Sequence, residues 1–216
     1  MTVLSNTEIE KRPWNGVLVA IQPRIRLGSS FDQRTHTYLG YALTVRGHIA
    51  SEPREYLVGV GKGAHTKHQF RPGDTVSGQA LPVADPRLET VEFYKVSGLR
   101  VTKSEVEEEK QPPPWLGIPP LLPIYRKRGH RRLAARTYEE KCTTCMWGCL
   151  MAVEMIIDHW NPDRRRYRTE AFCYGPLSCP LYRPGPLRKV PGRRGMTYTE
   201  QDWIDAEATS HRRPDE

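Results

Sequence analysis

Cys142-Thr-Thr-Cys-Met-Trp-Gly-Cys149 and, 23 residues later, Cys173-Tyr-Gly-Pro-Leu-Ser-Cys-Pro180 hold all five cysteines of the 216-residue chain. Cys142, Cys145 and Cys149 are spaced too closely to bridge one another with ease, yet one loop can wrap all three around a single inorganic centre. Thiolates are soft ligands. Clustered in a chain with no secretory signal, they point to zinc or iron–sulfur rather than to disulfides.

The surroundings of this stretch are strongly basic. Tyr125–Arg136 carries six Lys or Arg in twelve residues, and Arg164-Arg-Arg-Tyr-Arg168 forms a second cluster. Between 125 and 194 sixteen Lys and Arg face six Asp and Glu, within a chain of net charge +8. Arg126, Lys127, Arg128, Arg131, Arg132, Arg164, Arg165, Arg166 and Arg168 are therefore candidate contacts for an anion or phosphate. Cations beside a thiolate cluster would also raise its potential.

Upstream, Glu105 to Pro123 changes composition: an acidic run leads into a proline-rich stretch containing Trp115 and Leu116. It reads as a semi-rigid linker over 105–124 whose apolar residues can pack on a neighbouring surface. Before it, from 13 to 104, five runs rich in β-branched and aromatic residues are separated by Gly, Pro and Asp punctuation. They predict a small antiparallel β-barrel. The phrase Phe70-Arg-Pro-Gly-Asp-Thr-Val-Ser-Gly resembles a turn common in OB-like barrels. His65 and His68 lie between Gly and Lys and read as a solvated loop rather than a metal site. The segment Met151–Ile157 fits either a strand or a helix.

Several functions are disfavoured. The first residues lack the apolar core of a signal peptide, and no apolar run approaches the length of a membrane span. A cytoplasmic protein without a membrane span is expected. No Walker or Rossmann phosphate loop is present, and no residue constellation supports hydrolysis or group transfer, so the chain is not expected to be an enzyme by itself.

Two metal templates compete for the cysteines. A zinc ribbon pairs two C-x2-C halves, but here the second half is Cys173-x5-Cys179 and Cys149 is surplus. A cubane takes C-x2-C-x3-C plus one remote thiolate, which Cys142, Cys145, Cys149 and Cys173 supply, with Cys179 before Pro180 as the rival fourth ligand.

The same residues resemble the small N-terminal iron–sulfur module of the molybdopterin oxidoreductases, the DMSO reductase and formate dehydrogenase family. Cys142, Cys145, Gly148 and Cys149 match its opening C-x2-C-x2-G-C, and Ala171-Phe-Cys-Tyr-Gly175 is similar to its closing L-C-x-K-G. Leu181–Gly195 and Thr199–Ala206 are reminiscent of the family's next segment, so the likeness covers about 138–207. The resemblance implies one [4Fe–4S] cluster. The family's lysine after the fourth cysteine is missing, since Tyr174-Gly-Pro follows Cys173, and its large pterin-binding domains have no counterpart in these residues. The expectation is a mainly β protein: an OB-like barrel (13–104), a linker (105–124), a small α/β iron–sulfur module (125–207) and a tail (208–216). It would transfer electrons, or serve as a cluster-bearing subunit, beside a protein partner in a larger redox complex. The alternative is a nucleic-acid-binding OB-like protein with a structural zinc or iron–sulfur site.

Overall fold

Buried Trp14 lies near the start of a strand that most of the molecule is hung on. The structure, a computed structural model, describes residues 10–104 and 113–215. Strand β1 (Arg12–Ser29) buries Trp14, Leu18, Ile21, Ile25 and Leu27 and is long enough to serve three neighbours. It pairs antiparallel with β2 (Arg34–Ile49) along nearly its full length. Its first third also pairs with β4 (Thr75–Pro82), and its last five residues run parallel to β7 (Gly148–Ile156).

A break in register between Leu18 and Ala20 lets β1 turn from one set of partners to the next. Close to it, Gly16 faces Gly47 on β2. A Cβ on Gly16 would lie 2.4 Å from the Arg46 carbonyl oxygen, and one on Gly47 2.1 Å from that of Asn15. Only glycine lets the two backbones approach this closely.

Strand β3 (Glu52–Val60) pairs with β2, and helix α1 (Lys62–His68) leads from it to β4. Strand β5 (Phe93–Thr102) pairs antiparallel with β4 and touches β3 in parallel through one pair, Val58 with Phe93. The pairings run β1–β2–β3–β5–β4 and return to β1. The five expected strands are all present, and the protein is mainly β.

The second half does not stand apart. Strand β8 (Arg165–Cys173) pairs with β7, and β6 (Arg131–Arg132) pairs with the end of β8, so all eight strands belong to one mixed sheet. The same hydrophobic cluster holds Leu43, Val58 and Phe93 together with Tyr125, Cys149, Met151, Val153, Phe172 and Tyr174. The expectation of a barrel tethered to a separate module by a linker is thus corrected: residues on both sides of 105–124 share one sheet and one core. The stretch 105–112 lies outside the described residues. The proline-rich residues after it are docked: the Tyr41 hydroxyl donates to the Pro120 carbonyl at 2.9 Å. Helix α2 (Leu122–Arg128) then buries Leu122 and Tyr125.

Two further expectations change. The segment between strand and helix at 151–157 is resolved in favour of the strand, β7. The pair His65 and His68 is on helix α1, and His65 is buried between the rings of Tyr41 and Phe70, its Nε2 2.8 Å from the Pro119 carbonyl oxygen. The proline-rich stretch supplies the polar partner that lets this histidine be buried.

Downstream, β9 (Lys189–Pro191) and β10 (Thr197–Thr199) form a small ribbon, and α4 (Trp203–Thr209) closes on β6. Asp205 accepts from the Arg132 backbone N–H at 2.9 Å and from its Nε at 2.7 Å. The expected tail is docked as well: Arg212 is buried and donates to the Gly175 carbonyl at 2.6 Å.

Candidate metal centre

The chain enters the cysteine stretch from α3 (Ala135–Thr137), which continues as a π-helical turn, Tyr138–Cys142. A tight double turn comes next: Cys145 N–H donates to the Cys142 carbonyl at 3.1 Å and Gly148 N–H to the Cys145 carbonyl at 2.9 Å. Those same two carbonyls each accept from the side-chain amide of Gln22 on β1, at 2.9 Å. Tyr138 donates its hydroxyl to the other end of that amide at 2.6 Å. Met146 N–H donates to the Trp115 carbonyl at 2.9 Å, so the proline-rich stretch braces the turn from outside. Gly148 is required here: a Cβ would lie 2.7 Å from the Cys142 carbonyl oxygen and 3.0 Å from Gln22 Nε2.

The second half approaches from β8. Its last residue is Cys173, and the turn 176–182 brings Cys179 back toward it, with Cys179 N–H donating to the Pro176 carbonyl at 3.1 Å. Cys142, Cys145, Cys173 and Cys179 line one cavity of about 10 Å³. Pro113, Trp115, Leu133, Trp147 and Tyr182 complete its wall. Cys149 is elsewhere. Its side chain is fully buried in the main core, and its Sγ donates to the Pro23 carbonyl at 3.1 Å. Alternation along β7 explains the split, since Gly148 and Cys149 point to opposite faces of the strand. The set expected from the C-x2-C-x3-C spacing is corrected in this respect: the structure groups Cys179, not Cys149, with the other three.

Burial dominates the acidity of these thiols. It pushes Cys142 up to about 12, with further upward pressure from Cys145, Cys173 and Cys179. Cys145 is pushed up to about 11 by burial, against backbone hydrogen bonds from Trp147, Trp115 and Gly148 that favour the thiolate. Cys173 is raised by burial too, opposed by the Gly175 N–H at 3.3 Å and by the Arg131 guanidinium. Protonated thiols crowded in an apolar wall leave their donor capacity poorly used. A divalent cation that displaces the protons would offset the mutual repulsion and the desolvation cost of the thiolates so formed. Among the described residues no three His, Cys, Asp or Glu side chains are already drawn in to a metal-holding arrangement. The donor set nevertheless suits a four-thiolate ion, and the N–H groups aimed at sulfur suit the thiolate form. A cavity of this size is about that of one water-sized sphere.

The basic residues are mostly engaged within the fold. Arg128 stacks on Trp147 at 4.3 Å and donates to the Tyr174 carbonyl at 2.8 Å. Arg131 stacks on Tyr182 at 3.8 Å and donates to the Pro176 carbonyl at 2.9 Å. Both therefore wall the cysteine site. Arg132 is buried against Asp205 and Asp202, Arg165 pairs with Glu154 at 2.6 Å, and Arg168 pairs with Glu170. Arg126 lies 4.8 Å from the centre of the Tyr38 ring. Lys127, Arg164 and Arg166 are exposed. The expected anion contacts thus divide into walls of the cysteine site, internal ion pairs and a few solvent-facing cations. Gln22, Tyr138 and Trp115 join the site without any local sequence pattern to mark them, because all three reach it from other elements.

No protein-family model, no curated protein and no solved structure matches this chain.

Proposed function

We propose that this chain is an OB-like nucleic-acid-binding protein whose C-terminal strands are pinned by a structural zinc ion on Cys142, Cys145, Cys173 and Cys179. The observation that carries the zinc is the convergence of these four thiols, two from each of two turns, on one cavity of about 10 Å³. Zinc favours four-coordinate thiolate sites that are closed to solvent, and here all four positions would be filled by protein, which makes the role structural. A cubane on Cys142, Cys145, Cys149 and Cys173 would require Cys149 to leave the Pro23 carbonyl and the main core.

The OB-like part is supported by the circuit β1–β2–β3–β5–β4–β1, by the parallel contact of β3 with β5 and by helix α1 between β3 and β4. Such barrels commonly bind oligonucleotides, and a net charge of +8 suits a polyanion.

Metal analysis of the purified protein tests the ligand set. One zinc per chain is expected in the parent protein and in Cys149→Ala, with loss of zinc in Cys179→Ser. Retention of zinc by Cys179→Ser together with its loss from Cys149→Ala would overturn the set. Iron and sulfide in place of zinc would restore the redox reading. Oligonucleotide binding that weakens steeply with salt is expected of the same preparation.

A further inference from the structure

Strands β3 and β5 meet through only one residue pair, and beside that seam the surface opens into a groove of about 500 Å³. Its wall is formed by Gly59–Gly61 at the end of β3, by Lys67 and His68 on α1, and by Tyr94–Leu99 on β5. Among the described residues lining it there is no Asp or Glu. Arg24 also contributes, but Glu89 neutralises it at 2.7 Å. Lys67 and Lys95 are exposed and, among the described residues, form no ion pair. Lys11, which does not line the groove itself, donates from Nζ to Ser97 Oγ in its wall at 2.9 Å.

Lys95 is held there by the backbone. Between Tyr94 and Ser97, β5 carries one residue more than the facing stretch of β4, and in this bulge Lys95 takes a φ of +51°. That region favours glycine, and a bulge with a lysine in it re-aims the side chain instead of merely turning the strand. Its Nζ lies 5.1 Å from the centre of the Tyr94 ring. Cations grouped without carboxylates, next to a half-buried aromatic ring, are the ingredients of a strand-tracking groove.

We infer that the β3–β5 seam holds the phosphodiester backbone of a single nucleic-acid strand, with Lys11, Lys67 and Lys95 meeting the phosphates and Tyr94 offering a ring to a base. The inference rests on the nucleic-acid reading and gives it a place. A larger groove beside the β1–β2 loop is lined by Phe31, Tyr198 and Trp203, but Asp32, Glu200 and Glu207 there outnumber Arg34 and would repel phosphate.

The test is fluorescence anisotropy of labelled oligo(dT) with the full chain across a salt series. The double variant Lys67→Ala, Lys95→Gly removes two charges, and glycine accepts the left-handed backbone at 95. Its affinity is expected to fall about tenfold or more at low salt, and the slope of log K against log salt to shrink by about 1.4. Binding within about twofold of the parent, with the same slope, would overturn the groove while leaving the nucleic-acid reading intact. A parent protein that binds no oligo(dT) even at low salt would overturn both. Should the double variant lose its native circular dichroism, Lys67→Gln alone is the substitute. A loss of about threefold or more and a slope smaller by about 0.7 are then expected, and an unchanged curve again overturns the groove.

Discussion

At Gly148 the backbone has no room for a side chain, because the Cys142 carbonyl and the Gln22 amide occupy the space a Cβ would need. Gly148→Ala should therefore displace the clasp on the C-x2-C turn and destabilise the protein by about 1–3 kcal/mol, measurable by urea unfolding. Two histidines make a second prediction at this scale. His36 and His130 lie with ring centres 4.7 Å apart and planes tilted by 53°, near the guanidinium groups of Arg34 and Arg188. Burial, then these cations, lower His36 to about 4. Burial likewise holds His130 well below its usual range. In the folded state both stay neutral, whereas in the unfolded chain each takes up a proton below about 6.5. Stability is thus fully present above that pH and falls as pH drops from 6.5 toward 4. The slope is about 1.4 kcal/mol per pH unit for each histidine. Thermal unfolding between pH 7 and 5 checks this; a flat profile would contradict it.

Among the elements, helix α4 is the one held chiefly by charge. Asp205 lies against Arg132 and, at 3.4 Å, Arg188, both of which are buried. Arg188 also meets Glu170 and Glu200, so one ion network joins α4, β6, β8 and the segment after β10. Removing the Asp205 carboxylate leaves two buried guanidinium groups each with one partner fewer and frees the Arg132 backbone N–H. Asp205→Ala should cost about 3–5 kcal/mol, whereas Asp202→Ala, on an exposed carboxylate, should cost under about 1 kcal/mol. Urea midpoints of the two variants give the comparison. The turn that carries Cys179 is tied to the same end of the chain, since Ser178 N–H donates to the Pro214 carbonyl at 2.8 Å. Loosening of α4 should thus also weaken retention of the proposed zinc.

For the whole molecule, the parallel pairing of β1 with β7 decides the behaviour. Ile25–Ser29 of β1 bond to Met151–Met155, and the core cluster crosses that join. Unfolding should therefore occur as one transition by both tryptophan fluorescence and far-UV circular dichroism. A fragment ending at residue 104 should fail to fold, since it would expose Ile25, Tyr41 and Leu27 and leave the end of β1 with β2 on one edge and no partner on the other. Two separated transitions, or a folded fragment, would contradict the shared core.

The strand-rich first half was legible because alternation and turn residues act over a few positions, and β-branched runs such as Val17–Ile21 can satisfy only an extended backbone. Which cysteines belong together was not. Spacing placed Cys149 beside Cys142 and Cys145, but a strand sends neighbours to opposite faces, and β7 begins at Gly148. The partners of the site, Gln22 and Trp115, lie far away in sequence, as does the Pro119 carbonyl that lets His65 be buried. Sequence by itself determined the β content, the gathering of all five cysteines in one stretch and the positive charge, all of which are local or summed properties. Tertiary structure alone decided that the two halves share a core, that Cys179 and not Cys149 lines the cavity with the other three cysteines and that Arg128, Arg131 and Arg132 are held by partners within the fold, because each depends on contacts between residues that only folding brings together.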